Sequence, residues 1–146
     1  MQPEPLVTFR GVAYPWHCDH MGHMNVTWYV SRFDEATWNL FASVGLTPSY
    51  VRDANCGMVA VEQHISYKRE LLAGDVVFAR SRWLEGRERV VRFAHELING
   101  ETGEVAAVTE LTGVHLDRAT RKSVALPSPV LARIHAALAP LDTPSR

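Results

Sequence analysis

The stretch from Trp16 to Asn25, WHCDHMGHMN, gathers five side chains that bind metals or move protons: His17, Cys18, Asp19, His20 and His23. Three chemistries are open to such a set: metal ligation, thiolate attack, and attack or proton transfer by a carboxylate. Metal ligation is hard to assemble. Side chains alternate along an extended segment, so His17 and Asp19 face one way and Cys18 and His20 the other. His20 and His23 are spaced i, i+3 across a glycine, unlike the i, i+4 pair of a helical zinc motif. No Cys-x-x-Cys or distant His/Cys cluster completes a tetrahedral set, so no metal and no other cofactor is expected. Cys18 would need a base on its own side to act as a nucleophile. The carboxylate fares better. Asp19 lies just ahead of Asn25, a good helix N-cap, and the partial positive charge at a helix N-terminus keeps a nearby carboxylate ionised. An ionised carboxylate attacks an activated carbonyl carbon directly or takes a proton from water. The competing reading makes Asp19 a turn residue and Asn25 a plain cap. His23, an imidazole near Asp19, would orient it or hydrogen-bond a substrate carbonyl.

The elements that position this stretch can be read from periodicity. Residues 6 to 16 alternate imperfectly and read as a first strand, with Pro15 confining it to an edge or a strand end. From 26 to 44, Val26, Val30, Phe33, Thr37, Leu40 and Val44 repeat at helical spacing, capped by Asn25 and stopped by Gly45. Trp28, Tyr29, Trp38 and Phe41 add aromatic bulk on other faces, which predicts a helix buried on several sides. After Gly57 the period becomes two, with Val59, Val61, Ile65 and Tyr67 on one face and Glu62, His64 and Lys68 on the other. Strands are expected at 75–84, 88–99 and 104–116, with a hairpin at Asn99-Gly100-Glu101-Thr102-Gly103. Ser128-Pro129 opens a short last helix carrying Val130, Leu131, Ile134 and Leu138 on one face. Four successive strands with short links favour antiparallel pairing. One long apolar helix with one sheet to cover it predicts an α+β fold, a curved antiparallel sheet of five or more strands around a central helix.

Bulk properties narrow the classes. The chain has 146 residues, 47% hydrophobic and 21% charged, with net charge −1. That balance fits one globular domain spanning 1–146 and argues against a nucleic-acid binder. Two cysteines do not make a disulfide framework. No stretch approaches the ~18 apolar residues of a membrane span, and no leader-like segment stands at the start. A soluble, cytoplasmic protein with no membrane partner is expected.

The quoted stretch, continued through Val26-Thr27-Trp28-Tyr29 to Gly45-Leu46, resembles the 4-hydroxybenzoyl-CoA thioesterase-like branch of the hotdog acyl-CoA thioesterases. The resemblance rests on Asp19, on Gly22-His23-Met24-Asn25, on Tyr29, and on Asp34 or Glu35 along the helix. Residues 65 to 75, ISYKRELLAGD, are similar to the family's strand and turn, and the likeness covers about residues 6 to 117. His17 and Val26 stand where many relatives have an acidic residue and a second Asn. The resemblance implies a hotdog fold and hydrolysis of a small or medium acyl- or aryl-CoA thioester. It implies Asp19 as nucleophile or general base, supported by His23 and Asn25. It also implies a backbone N–H at Gly57 or Met58 for the thioester oxygen, a donor where negative charge develops. An open sheet edge asks for a partner, and the family assembles with its active site between subunits. At least a homodimer is expected, with a tetramer open. CoA carries phosphates, and between 68 and 92 basic residues outnumber acidic ones. Lys68, Arg69, Arg87 and Arg89 are the candidates, since arginine suits phosphate. Two alternatives stay open: a hotdog hydratase or dehydratase acting on acyl-CoA or acyl carrier protein, with Asp34 or Glu35 involved, and a non-catalytic acyl-CoA binder.

Overall fold

The structure, a computed structural model, describes residues 4–138. Strand β1 (Leu6–Val12) leads through a 3-10 turn at Pro15–His17 to helix α1 (Val26–Ser43). Then follow α2 (Pro48–Ala54), β2 (Cys56–Tyr67), β3 (Val76–Gly86), β4 (Val90–Asn99), β5 (Val105–Asp117) and α3 (Ser128–Ala137). The five strands form one antiparallel sheet in the order β1-β3-β4-β5-β2. The sheet curves around α1, which is the hotdog arrangement.

Helix α1 starts where Asn25 caps it and stops at Gly45, whose φ of 101° only glycine adopts without strain. Its buried residues are Tyr29, Phe33, Ala36, Thr37, Leu40 and Phe41. The first half packs with Phe9, Leu71 and Leu97, the second half with Trp83, Val91 and Phe93. The expected burial on several sides fails on one of them. Val30 and Trp38 are 45% and 47% exposed, and Val26 is exposed as well. Of the expected face, Phe33, Thr37, Leu40 and Val44 are buried, while Val26 and Val30 are not. An apolar stripe is left uncovered along the helix.

Between the two halves of the core runs a buried polar string. Thr37 Oγ1 donates to the Phe33 carbonyl at 2.9 Å, so it accepts from His95 Nε2 at 2.8 Å. His95 Nδ1 is then the acceptor for Ser81 Oγ, which in turn accepts from Thr8 Oγ1 at 2.6 Å. This network assigns one neutral tautomer to His95. His95 is fully buried, and desolvation pushes its pKa down to about 4. In the unfolded chain the imidazole takes a proton first, near pH 6.5. Stability from His95 is therefore present above that pH and is lost as pH falls from ~6.5 to ~4, by about 3 kcal/mol in all. Urea titrations across this window should show His95→Gln with a shallower pH slope than the parent chain. Equal slopes would mean that His95 is already charged inside the fold.

Two local features were not anticipated. Helix α2 is short, yet Thr47 caps it by accepting from the Tyr50 N–H at 3.2 Å, and Pro48 starts it. In β2 the pairing with β5 passes from Ala60 directly to Glu62, so Val61 is a bulge. The bulge breaks the expected face of Val59, Val61, Ile65 and Tyr67. Met58 and Ile65 pack on the core, while Val59 and Val61 are 39% and 60% exposed. Among the described residues, no strand lies beside the outer edge of β2.

Candidate active site

Asp19 is held by its own turn. Its carbonyl accepts from the Gly22 N–H at 3.0 Å, and its N–H donates to the His23 carbonyl at 3.2 Å. Gly22 closes the turn with φ of 88°, in open space, so backbone freedom rather than close packing asks for glycine there. The carboxylate engages both oxygens. Oδ1 accepts from the Met21 N–H at 2.8 Å, and Oδ2 accepts from Asn25 Nδ2 at 2.7 Å. Asn25 divides its amide between two tasks. Its Oδ1 caps α1 by accepting from the Thr27 N–H at 2.9 Å, while its Nδ2 grips Asp19. The cap reading and the functional reading of Asn25 are thus one geometry. The Asn25 amide first, then the Met21 N–H, hold the Asp19 carboxyl below the usual carboxylate range, with His23 and His20 adding attraction. At neutral pH Asp19 is an anion.

His23 does not bond Asp19 through its ring. Its Nε2 lies 3.7 Å from Glu70 Oε1, a partner that neither motif nor periodicity singles out. His23, Tyr29, Tyr67, Lys68, Arg69 and Glu70 line an open cleft of about 230 Å³. The rings of Tyr29 and Tyr67 meet edge to face at 5.1 Å. Burial pushes the Tyr29 phenol up to about 12, so it stays protonated.

His17 is buried and is drawn into a different structure. Its Nδ1 accepts from the Tyr14 N–H at 2.9 Å and lies 2.9 Å from an Arg32 guanidinium nitrogen. Desolvation and then the Arg32 charge lower its pKa, which keeps it neutral beside Arg32. Arg32 also stacks over Phe9 and Trp28. In this chain the buried imidazole of His17 is the acceptor set beside the arginine. Among the described residues, no three His, Cys, Asp or Glu side chains come together as a metal-binding group.

The remaining predicted site residues divide by strand order. Gly57 and Met58 pair with Leu116 and His115 at one end of β5, whereas Tyr67 pairs with Ala107 near the other. Met58 lies against the second half of α1, with Phe41 and Trp38. The helix from Asn25 to Phe41 is roughly 24 Å long at 1.5 Å per residue. Within one protomer, Gly57 and Met58 are therefore not beside Asp19. The four basic candidates separate the same way. Lys68 and Arg69 share the cleft with His23, though Arg69 also pairs with Glu104 at 3.1 Å. Arg87 pairs with Glu85, and Arg89 donates to the Ser123 carbonyl at 3.0 Å, near the Met58 end of the sheet.

A curved antiparallel sheet wrapped around one long helix defines a hotdog protein. Residues 14–134 match the Thioesterase-like superfamily, and the chain belongs to that family. It is 28% identical to a betainyl-CoA thioesterase of Pseudomonas aeruginosa, over 90% of this chain and 82% of that one. It is also 29% identical to an L-carnitine dehydrogenase/betainyl-CoA thioesterase of a Rhizobium species, over 91% of this chain. Our chain spans only 27% of that longer protein. Among solved structures, a Staphylococcus aureus protein in complex with CoA superposes with a TM-score of 0.86 at 20% identity. That match covers 99% of this chain and 92% of the other. No described helix is long and apolar enough to cross a membrane.

Proposed function

We propose that this chain is an acyl-CoA thioesterase in which Asp19 drives hydrolysis. The observation that carries this is the Asp19 carboxylate, ionised and clamped by Asn25 Nδ2 and the Met21 N–H at the start of α1. Acting as a base, it takes a proton from water while the water oxygen bonds to the thioester carbon. The C–S bond then breaks, and the CoA thiolate leaves and is protonated. Acting as a nucleophile, it forms the bond to that carbon itself, the C–S bond breaks with loss of CoA thiolate, and water then cleaves the mixed anhydride to free acid and Asp19 carboxylate. Hydroxylamine trapping of an acyl group on Asp19 during turnover separates the routes, since only the second forms a bond between Asp19 and the acyl carbon. The named relatives make a short acyl group such as betainyl the first to test.

The reading includes a homodimer joined along β2. The other sheet edge, β1, is short, bulged between Val7 and Phe9, and tied to the helix by Asn39 Nδ2 donating to the Thr8 carbonyl at 2.6 Å. Strand β2 is 12 residues long, and its free edge is lined by exposed Val59 and Val61. An open apolar edge calls for a partner, and a two-fold axis gives each copy the same one. Antiparallel pairing of two β2 strands sets the Tyr67 end of one beside the Gly57 end of the other. The Asp19 corner then lies next to the partner's Gly57 and Met58, which lets one backbone N–H, at Gly57 or Met58, serve the thioester oxygen across the interface. Lys68 and Arg69, which line the cleft with His23, are the proposed CoA phosphate contacts.

A panel of CoA esters with free-thiol detection tests the activity. The expected result is release of CoA thiol from at least one short-chain ester at a rate that scales with enzyme. No release across the panel would favour the non-catalytic acyl-CoA binder. Asn25 offers a finer check. Asn25→Ala should cost about 1 kcal/mol of stability by losing the cap. It should also move the acid limb of the pH–rate profile upward, because the main influence holding Asp19 low is gone. Asn25→Asp keeps an acceptor for the Thr27 N–H but puts a second anion beside Asp19. Stability should recover in that variant while the rate does not. An unmoved acid limb in both variants would count against Asp19 as the titrating group.

A further inference from the structure

A second cavity, of about 150 Å³, opens between the exposed stripe of α1 and the start of β2. Its lining includes Val30, Asp34, Trp38, Phe41, Met58 and Phe93. Val30, Asp34 and Trp38 are spaced i, i+4, i+8, so they share one face of the helix. The walls are mostly apolar. Of the polar groups, Thr37 is committed to the Phe33 carbonyl and to His95. Gln63 donates to Thr109 Oγ1 at 3.3 Å. Asp34 is different: among the described residues, no basic group lies within ion-pair distance of it. A carboxylate on an apolar wall, beside an exposed indole, is an arrangement that receives a cation. The indole face attracts positive charge, and the carboxylate supplies the counter-charge without needing an N–H from the ligand.

We infer that Asp34, with Trp38, recognises a positively charged end of the acyl group held at the Asp19 of the other protomer. This rests on the thioesterase reading above and on its β2-paired dimer. Pairing two β2 strands sets the Asp19 corner of one protomer beside the Met58 end of its partner, and Asp34 and Met58 line the same cavity. A short acyl chain leaving the thioester carbon then points into that cavity. Covering the cavity with a second protomer also removes water, which strengthens the attraction between Asp34 and a bound cation. The group that Asp34 fits best is a quaternary ammonium, which has no N–H to satisfy and presents only polarised methyl groups to carboxylate and indole.

The test uses two esters of one shape. Betainyl-CoA carries the trimethylammonium group, and 3,3-dimethylbutanoyl-CoA replaces its nitrogen with carbon. The readout is the ratio of kcat/KM for the charged ester to that for the neutral one, measured well above the dimer dissociation constant. The parent chain should prefer the charged ester. Asp34→Asn should lower the ratio by on the order of tenfold to a hundredfold, and Trp38→Leu should lower it less. An unchanged ratio in Asp34→Asn would overturn the assignment. So would an equal loss on both esters with a weakened dimer, which would make Asp34 an ion-pair partner of a basic residue across the interface. If the parent chain hydrolyses neither ester, the panel of CoA esters decides the thioesterase reading separately. The same ratio is then read from dissociation constants of the two esters on Asp19→Asn and on Asp19→Asn/Asp34→Asn, with the same expected drop and the same overturning result.

Discussion

Val61→Glu is expected to leave the protomer folded and to separate the dimer. Val61 is 60% exposed and is the residue that β2 passes over in its pairing with β5. A charge there disturbs neither the core nor the ladder inside the protomer. Across a two-fold axis the effect is large. Strand β2 runs from Cys56 to Tyr67, so full-length antiparallel pairing places Val61 opposite the partner's Glu62. The substitution creates two facing carboxylate pairs, one on each side of the axis. Like charges directly opposed in a sheet are destabilising, and across an interface they cost several kcal/mol. A loss of about 3 kcal/mol weakens association roughly a hundredfold. Sedimentation at micromolar concentration should show a monomer with an unchanged far-UV spectrum. Turnover should collapse with it, because Asp19 then lacks the partner's Gly57 and Met58. A monomer with full turnover would place the whole site in one chain and would remove the proposed role of those two residues.

What the sequence made legible is what local spacing decides. The helical repeat from Val26 to Val44, the change to period two after Gly57, and the turn at Asn99-Gly100 each depend on neighbours a few residues away, and the strands and helices stand where those signals placed them. The Asp19–Asn25 contact spans six positions and follows from a turn leading into a cap. Other features depend on which strands become neighbours, and periodicity carries no record of that. Glu70 reaches His23 only because the chain after β2 folds back past the start of α1. Arg32 meets His17 across fifteen residues of turn and helix. Lys68 and Arg69 part from Arg87 and Arg89 because β5 lies between β2 and β4 and sends its two ends to different ends of the sheet. The bulge at Val61 is a matter of register against β5, and register is a property of the pair. Helix α2 was legible in principle, since Thr47-Pro48 is an N-cap followed by a helix-starting proline.

The measurement that bears most directly on the account is CoA thiol release by the parent chain and by Asp19→Asn, assayed side by side on the best ester above the dimer dissociation constant. Asparagine has nearly the shape of aspartate. Its oxygen still accepts from the Met21 N–H or from Asn25, so the turn and the cap of α1 remain. What it lacks is the charge. It takes no proton from water at neutral pH, and its amide is a poor nucleophile. Loss of general-base catalysis is worth ~10²–10⁴ in rate, and loss of a covalent route costs more. The account predicts a fall in kcat of at least ~10² with little change in the urea midpoint. Turnover within a few-fold of the parent chain, in a protein that is still folded and dimeric, would contradict it, and Asp19 would then be a turn residue and nothing more.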